Sequence, residues 1–174
     1  MKNLFKILIF LFVTQLQAQV LISPMNAMKE SYGSDVTVSK KNILLTKDKF
    51  SAIQKSARVK LDTKIYRIFT AKKDENILGY GILINKKVRS KNAVVLYFIA
   101  DKTLKSIEIV AFNEPREYIP TKKWNSQFEG IKTDTKLELN RDIPSISGAT
   151  LSARTVTDGS RVAFALYNEL LKDK

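Results

Sequence analysis

The feature of this sequence that most constrains its fold is a series of apolar segments joined by very short polar connections. The segments cover residues 64–71, 77–85, 93–100 and 104–112, and all are rich in β-branched and aromatic residues, as is typical of strands. The connections between them have the length of turns or hairpin loops. Because parallel strands need long crossover connections, these strands are expected to pair antiparallel.

Residues at helical spacing precede and follow this series. Thr46 is a candidate N-cap for a helix over residues 47–57, in which one face carries Phe50, Ile53 and Ala57. A second helix is predicted from about Ser152 to residue 172, with one face formed by Val156, Gly159, Ala163, Leu166, Tyr167 and Leu170. A glycine inside a helix costs about 1 kcal/mol relative to alanine, so we expect another group to pack closely on Gly159. Strands followed by a helix predict an α+β fold, an antiparallel sheet flanked by helices.

The N-terminal residues have the pattern of a secretory signal peptide. Lys2 and Lys6 give a positive start, residues 7–13 form a continuous apolar run, and Ala18 is a small residue at the polar boundary. We therefore expect residues 1–18 to be cleaved and the protein to be periplasmic or at the outer face of the cytoplasmic membrane. The alternative is a buried N-terminal strand or helix. Residues 19–45 are weakly patterned and are assigned as an extension, which leaves residues 46–174 as the domain.

Composition excludes several function classes. The chain has no histidine and no cysteine, which excludes disulfides, thiolate metal sites, iron–sulfur ligation, thioether haem attachment and a Ser–His–Asp triad. It has 30 Lys and Arg against 17 Asp and Glu, a net charge of +13. The basic residues are spread along the chain without interleaved aromatic residues, so we expect a solvated basic surface and no nucleic-acid partner.

The segment richest in candidate functional groups is Ser147 to Ser152, with the sequence Ser-Gly-Ala-Thr-Leu-Ser, directly before the last predicted helix. Its small residues allow a ligand to approach the backbone, and a helix start offers free N–H groups and a dipole that favour a phosphate. Arg154, placed in the first turn, could add a charged donor. The residues alone leave two interpretations open. The segment is a phosphate-binding loop, or it is a structural helix start in which Ser152 is the N-cap and Gly148 a turn residue.

This segment, followed by Val-Thr-Asp-Gly at residues 156–159, resembles the signature of the covalent FMN-binding domain family. The family includes components of the sodium-translocating NADH:quinone oxidoreductase and of the Rnf complexes, together with small exported flavoproteins. Residues 79–81, 111–118 and 124–128 are similar to segments of the small exported members. In the family, a flavin transferase joins FMN through its phosphate to the threonine of Ser-Gly-Ala-Thr.

The resemblance implies Thr150 as the acceptor of a phosphoester-linked FMN. It also implies cofactor-binding roles for Ser147, Gly148, Ala149, Leu151, Ser152 and Glu114, with no catalytic residue and no metal. Aromatic side chains that are candidates to flank the flavin, or alternatively to pack in the core, are Phe112, Tyr118, Trp124 and Phe128. The family usually has an aspartate three residues before the first serine of the motif. This chain has Pro144 there, and Asp142 is the candidate substitute.

The function that the resemblance implies is that of an exported electron-transfer flavoprotein with covalent FMN as its cofactor. A flavin transferase would be its maturation partner, and a membrane or periplasmic redox protein its electron-transfer partner. A carrier is favoured over a stand-alone enzyme. The alternatives are a small extracytoplasmic flavin reductase and a cofactor-free exported binding module.

Overall fold

The computed structural model describes residues 20–173, and its centre is one antiparallel sheet of five strands in the order β1-β2-β3-β4-β5. Each strand pairs with the next one along the chain, as the short connections predict. The α+β prediction is therefore confirmed. The strands are β1 (Thr37–Leu44), β2 (Ile65–Lys73), β3 (Asn76–Lys87), β4 (Asn92–Ala100) and β5 (Thr103–Phe112).

The helices lie on both faces of this sheet. They are α1 (Pro24–Tyr32), α2 (Lys47–Ala57), α3 (Lys122–Asn125) and α4 (Thr150–Leu170), with short 3₁₀ helices at Arg116–Tyr118 and Ser126–Phe128. Across residues 20–173, none of the helices has both the length and the apolar character needed to cross a membrane. The predicted signal peptide lies outside the described residues, and the division into an extension and a domain stays a prediction.

Strand β4 shows why the molecule has two apolar cores. Its alternate residues Val95, Tyr97 and Ile99 belong to the larger core, together with residues of α2 and α4. The intervening Leu96 and Phe98 belong to a smaller core on the other face, which α1 completes. Since both faces of β4 are covered, its sequence is apolar almost throughout, without the polar alternation of a strand that has one solvent-facing side.

Helix α1 and strand β1 lie within residues 19–45, whose sequence shows only weak patterning. In β1, every residue is exposed or half-buried, so this edge strand has little of the apolar alternation by which strands are recognised. In α1, only Ala27 and Met28 are buried. Residues 37–44 nevertheless pair along their whole length with β2 and are an integral part of the sheet.

Helix α4 lies along β3 and β4, and this placement determines where its N-terminus lies. The hydroxyl of Thr155 donates to the carbonyl of Lys87 at 3.3 Å, while the ring of Tyr167 contacts that of Tyr80, with centroids 6.0 Å apart. The N-terminus of α4 is therefore beside the connection between β3 and β4. The close packing predicted at Gly159 is confirmed, because the buried side chain of Tyr97 lies directly against it.

Candidate functional site

A tight turn leads into α4. The N–H of Ala149 donates to the carbonyl of Ile146 at 3.0 Å, and Gly148, the third residue of this turn, has a φ of 76°. That value suits a type II turn and favours glycine. A Cβ added to Gly148 would meet nothing within 4 Å. The glycine is thus needed for its conformation, and the space above it is open.

The start of α4 has no side-chain cap. The helix begins at Thr150 with Ala149 as its N-cap, and no side chain of the described chain accepts a hydrogen bond there. The first N–H to bond within the helix is that of Ala153, to the carbonyl of Ala149 at 3.1 Å. The N–H groups of residues 150–152 therefore lack an intrahelical acceptor. In α1, α2 and α3, by contrast, a serine or threonine hydroxyl caps the helix.

Ser152 is not the N-cap that the structural interpretation predicted. It is the third residue of α4 and only 2% exposed. Its hydroxyl is buried and has no hydrogen-bond partner within residues 20–173. A buried hydroxyl without a partner is costly, and four other buried side chains of the described residues share this feature. Arg154 is not in the first turn, as was predicted, because it is the fifth residue of α4, and it is exposed.

Thr150 presents a hydroxyl that is weakly engaged. Its side chain is exposed, and Oγ1 contacts only the carbonyl of Ile146, at 3.4 Å, among the hydrogen bonds of the described residues. This distance is at the long end for a hydroxyl donor. As the first residue of α4, Thr150 holds this hydroxyl beside the uncapped N–H groups. Thr150 as a residue is thus open to solvent.

A shallow cavity of about 250 Å³ joins this helix start to two other parts of the chain. Of the predicted site residues, all except Ser147 line it, whereas Ser147 is exposed in the preceding turn. Val88 and Arg89, which contribute from the connection between β3 and β4, were missed because nothing in the sequence links this connection to residues 147–152. The lining residues are Val88, Arg89, Glu114, Tyr118, Gly148, Ala149, Thr150, Leu151 and Ser152.

Glu114 holds the connection between β3 and β4 in place. Its Oε1 accepts hydrogen bonds from the N–H groups of Arg89, Ser90 and Lys91, at 3.2, 2.6 and 2.7 Å. The hydroxyl of Ser90 also donates to both carboxylate oxygens, at 3.2 and 3.3 Å. The N–H groups of Lys91 and Ser90 lower the pKa of Glu114 below its usual value. The carboxylate is thus ionised and engaged with the protein's own backbone.

The candidate aromatic residues divide into one at the cavity and three in the core. Tyr118 is half-buried and lines the cavity. Phe112, Trp124 and Phe128 are buried in the larger core. The indole N–H of Trp124 donates to the carbonyl of Pro144 at 2.9 Å, so this side chain anchors the segment that leads into the turn before α4.

Asp142, the candidate substitute for the missing aspartate, is engaged elsewhere. Its carboxylate accepts hydrogen bonds from the side chain of Arg141 and, at 2.7 Å, from the N–H of Glu138. These contacts lower its pKa, with the bond from Arg141 as the largest cause. Asp142 does not line the cavity at Thr150. Its observed role is to close its own loop.

A larger cavity, of about 580 Å³, lies between α2, α4 and residues 133–137. Its most buried charge is already satisfied. The guanidinium of Arg161 donates to the carbonyls of Ala57 and Arg58 at 2.8 and 2.9 Å and contacts Asp158. Arg161 thus stabilises the C-terminal end of α2, and this cavity contains none of the predicted site residues.

Within residues 20–173, no group of acidic side chains could hold a metal ion. Compared with protein-family models and with curated proteins, the chain matches none of either.

Proposed function

We propose that the protein is an exported flavoprotein that carries FMN in phosphoester linkage to Thr150 and relays electrons to or from a membrane or periplasmic redox partner. The observation that carries this proposal is the geometry at the start of α4. The exposed Thr150, the uncapped N-terminus of α4 and the buried Ser152, whose hydroxyl has no partner within residues 20–173, line one cavity. The signal-peptide pattern at residues 1–18 supports export.

The residues present fit the phosphate of FMN. Uncapped N–H groups and the helix dipole favour an anion at the start of α4. Ser152 lines the same cavity, and its hydroxyl has no partner within the described chain. Arg89 adds a positive side chain to the wall of the cavity. Each of these groups is suited to phosphate oxygens, and Thr150 is the hydroxyl beside them.

The size of the cavity favours a flavin that is largely exposed. Pockets that enclose a drug-sized ligand span about 300–1,000 Å³, whereas this cavity is only about 250 Å³. It would hold the phosphate and the neighbouring part of the ribityl chain. Tyr118 is the aromatic side chain that lines it. Bound FMN would supply one- and two-electron redox chemistry. An exposed cofactor suits exchange of electrons with another protein.

The chain itself offers no base to activate Thr150. It contains no histidine, and a free hydroxyl is a weak nucleophile at neutral pH. Glu114 lines the same cavity, but its carboxylate is bound to three backbone N–H groups, which lower its pKa. Lowering the pKa makes it a poorer base. A flavin transferase must therefore activate the hydroxyl and supply the flavin from an activated donor, which makes the transferase the maturation partner.

The test is production of the protein together with a flavin transferase, followed by denaturing gel electrophoresis. We expect a fluorescent band that survives denaturation and disappears in Thr150→Ala. Ser145→Ala is a matched control, because Ser145 is an exposed hydroxyl in the same segment, and it should remain fluorescent. A dark wild-type band under these conditions, or a fluorescent Thr150→Ala band, contradicts the proposal.

A further inference from the structure

Three exposed basic residues lie close to Thr150. Arg89 lines the same cavity as Thr150. Arg154 follows Thr150 by four residues on α4, and residues at this spacing are neighbours on one face of a helix. Lys87 is held near the same helix, because its carbonyl accepts from the hydroxyl of Thr155 at 3.3 Å. Two segments that are distant in sequence thus bring positive charge to one place.

The carboxylates nearby do not cancel this charge. Glu114 lines the cavity and accepts hydrogen bonds from the backbone N–H groups of residues 89–91. Asp158 is half-buried and lies 3.4 Å from the guanidinium of Arg161, its ion-pair partner. None of the three basic residues belongs to an ion pair within residues 20–173. A surplus of positive charge therefore remains around the cavity.

The surface between these charges is apolar. Leu151 is 42% exposed, and the half-buried Val88 and Tyr118 line the same cavity. In the adjacent 3₁₀ helix, Arg116 and Glu117 are consecutive and add no net charge. An apolar centre with a polar rim is the usual anatomy of a protein–protein interface. We call Leu151 and the three basic residues the docking surface.

We propose that the docking surface binds the redox partner of this protein, and that the partner presents acidic side chains around its own electron-transfer site. Complementary charge steers the encounter of two proteins and increases its rate. Weak redox complexes bury small interfaces, below about 1,200 Å² in total, which a surface of this size suits. The inference rests on the proposed function, which assigns the flavin to Thr150, and extends it by giving the chemistry of the partner.

An acidic protein suits this surface better than an anionic membrane does. A helix that binds a membrane surface inserts a continuous apolar face below the headgroups. Of the large apolar residues that are exposed within residues 20–173, Leu151 alone lines the cavity. One exposed leucine beside a concave surface offers little apolar area for insertion, whereas the charges around it match acidic side chains.

The experiment uses a plant-type [2Fe–2S] ferredoxin, a small acidic electron carrier, as the probe. Calorimetric titration measures its dissociation constant for the flavin-free protein, and stopped-flow absorption measures how fast its reduced form reduces the flavin-loaded protein. Each reduced ferredoxin delivers one electron, so two of them reduce one flavin. At low ionic strength, we expect Arg89→Glu combined with Arg154→Glu to lower the affinity and the rate constant by about tenfold or more. Added salt should shrink this difference.

The matched control combines Lys29→Glu with Lys41→Glu. These lysines are exposed on α1 and β1, and the control changes the net charge by the same amount. It should change the affinity and the rate constant by less than about twofold, because the substituted charges are not on the docking surface. If charge reversal prevents folding, Arg89→Gln combined with Arg154→Gln decides the matter, with a smaller loss in the same direction.

The outcomes separate this inference from the proposed function. If the wild type does not bind ferredoxin, or the Arg89 and Arg154 variant binds it equally well, the docking surface is wrong. If that variant instead loses binding only to phosphatidylglycerol vesicles, the occupant is a membrane and the inference is wrong. If it loses only flavin incorporation, the surface serves the transferase and the inference is again wrong. A protein that never carries flavin but binds ferredoxin through these residues contradicts the proposed function and leaves the docking surface intact.

Discussion

Tyr97 determines which residue can occupy position 159. The tyrosine is fully buried, and its hydroxyl donates to the carbonyl of Val156 at 3.0 Å. A Cβ at position 159 would collide with this hydroxyl and lie 2.8 Å from Cζ of the same ring. Burial also raises the pKa of Tyr97 well above its ordinary value, so the hydroxyl remains a donor.

We therefore expect Gly159→Ala to destabilise the protein, although alanine is the better helix former by about 1 kcal/mol. Overpacking a filled core costs about 1–3 kcal/mol, and the neighbour here is a large ring that is hydrogen-bonded in place. In a Tyr97→Phe background, the penalty should be smaller, because the nearest atom is absent. Urea unfolding of the two single variants and the double variant measures this coupling. A Gly159→Ala variant more stable than the wild type would contradict the account.

Single residues were predictable where they break a local pattern. Gly159 stands out as a glycine within a helical repeat, and so close packing there could be expected. The identity of its neighbour could not, because Tyr97 is distant in sequence. Glu114 was singled out only by the family resemblance, and its hydrogen bonds to residues 89–91 were not predicted, because these partners belong to a connection that carries no motif of its own.

The helices show which starts can be predicted from sequence. The start of α2 was predicted correctly because the hydroxyl of Thr46 accepts from the N–H of Lys49, at 3.3 Å, as a typical N-cap does. The start of α4 was placed too late. Its actual cap is Ala149, which carries no capping side chain, whereas Ser152 has the residue type of a cap but is already inside the helix. Among the four α-helices of residues 20–173, the one whose start has no capping side chain is the helix at the candidate site.

Helix α1 packs against the sheet at two glycines, whose lack of a side chain leaves room for side chains of α1. A Cβ at Gly81 would collide with Sδ of Met28, and one at Gly79 would lie 2.5 Å from the hydroxyl of Tyr32. That hydroxyl lies 3.1 Å from the carbonyls of both Tyr80 and Ile99. The smaller core is therefore built around α1, which makes the N-terminal segment part of the fold.

We expect Met28→Ala to lower the free energy of unfolding by about 2–5 kcal/mol, the usual range for truncating a buried methionine. Met28 is 0% exposed at the centre of the smaller core. Met25→Ala is the matched control in the same helix, because Met25 is 37% exposed, and its effect should stay within about 0.5 kcal/mol. Chemical denaturation monitored by circular dichroism compares the two. Equal effects would show that α1 does not pack as described.

At the scale of the whole molecule, the candidate site combines three segments that are far apart in sequence. They are the connection between β3 and β4, the residues that follow β5, and the start of α4. From the sequence, the start of α4 could be identified, and so could Glu114 among the residues that follow β5. The sequence could not identify Arg89 or separate Tyr118 from the aromatic residues of the core, because these assignments depend on how the sheet and α4 meet. The antiparallel sheet itself was predictable, since its connections are too short for any other pairing.

The excess of basic residues gives the whole molecule a field that attracts anions. The full sequence has a net charge of +13, and the predicted cleavage after Ala18 would remove Lys2 and Lys6 and leave +11. A charge of this size raises the local concentration of anionic ligands and speeds their association, an effect that salt reduces. Charge of this kind would favour encounters both with a flavin phosphate and with an acidic redox partner. The effect acts at long range and does not depend on the details of any one cavity.

The most direct test of the central claim is the mass of the tryptic peptide that spans residues 142–154, from protein produced together with a flavin transferase. We expect this peptide to gain the mass of FMN less one water, and fragmentation to assign the addition to Thr150. The intact protein should then show the visible absorption of a flavin after denaturation. An unmodified peptide under these conditions, or an addition on Ser147 or Ser152 in place of Thr150, would contradict the account.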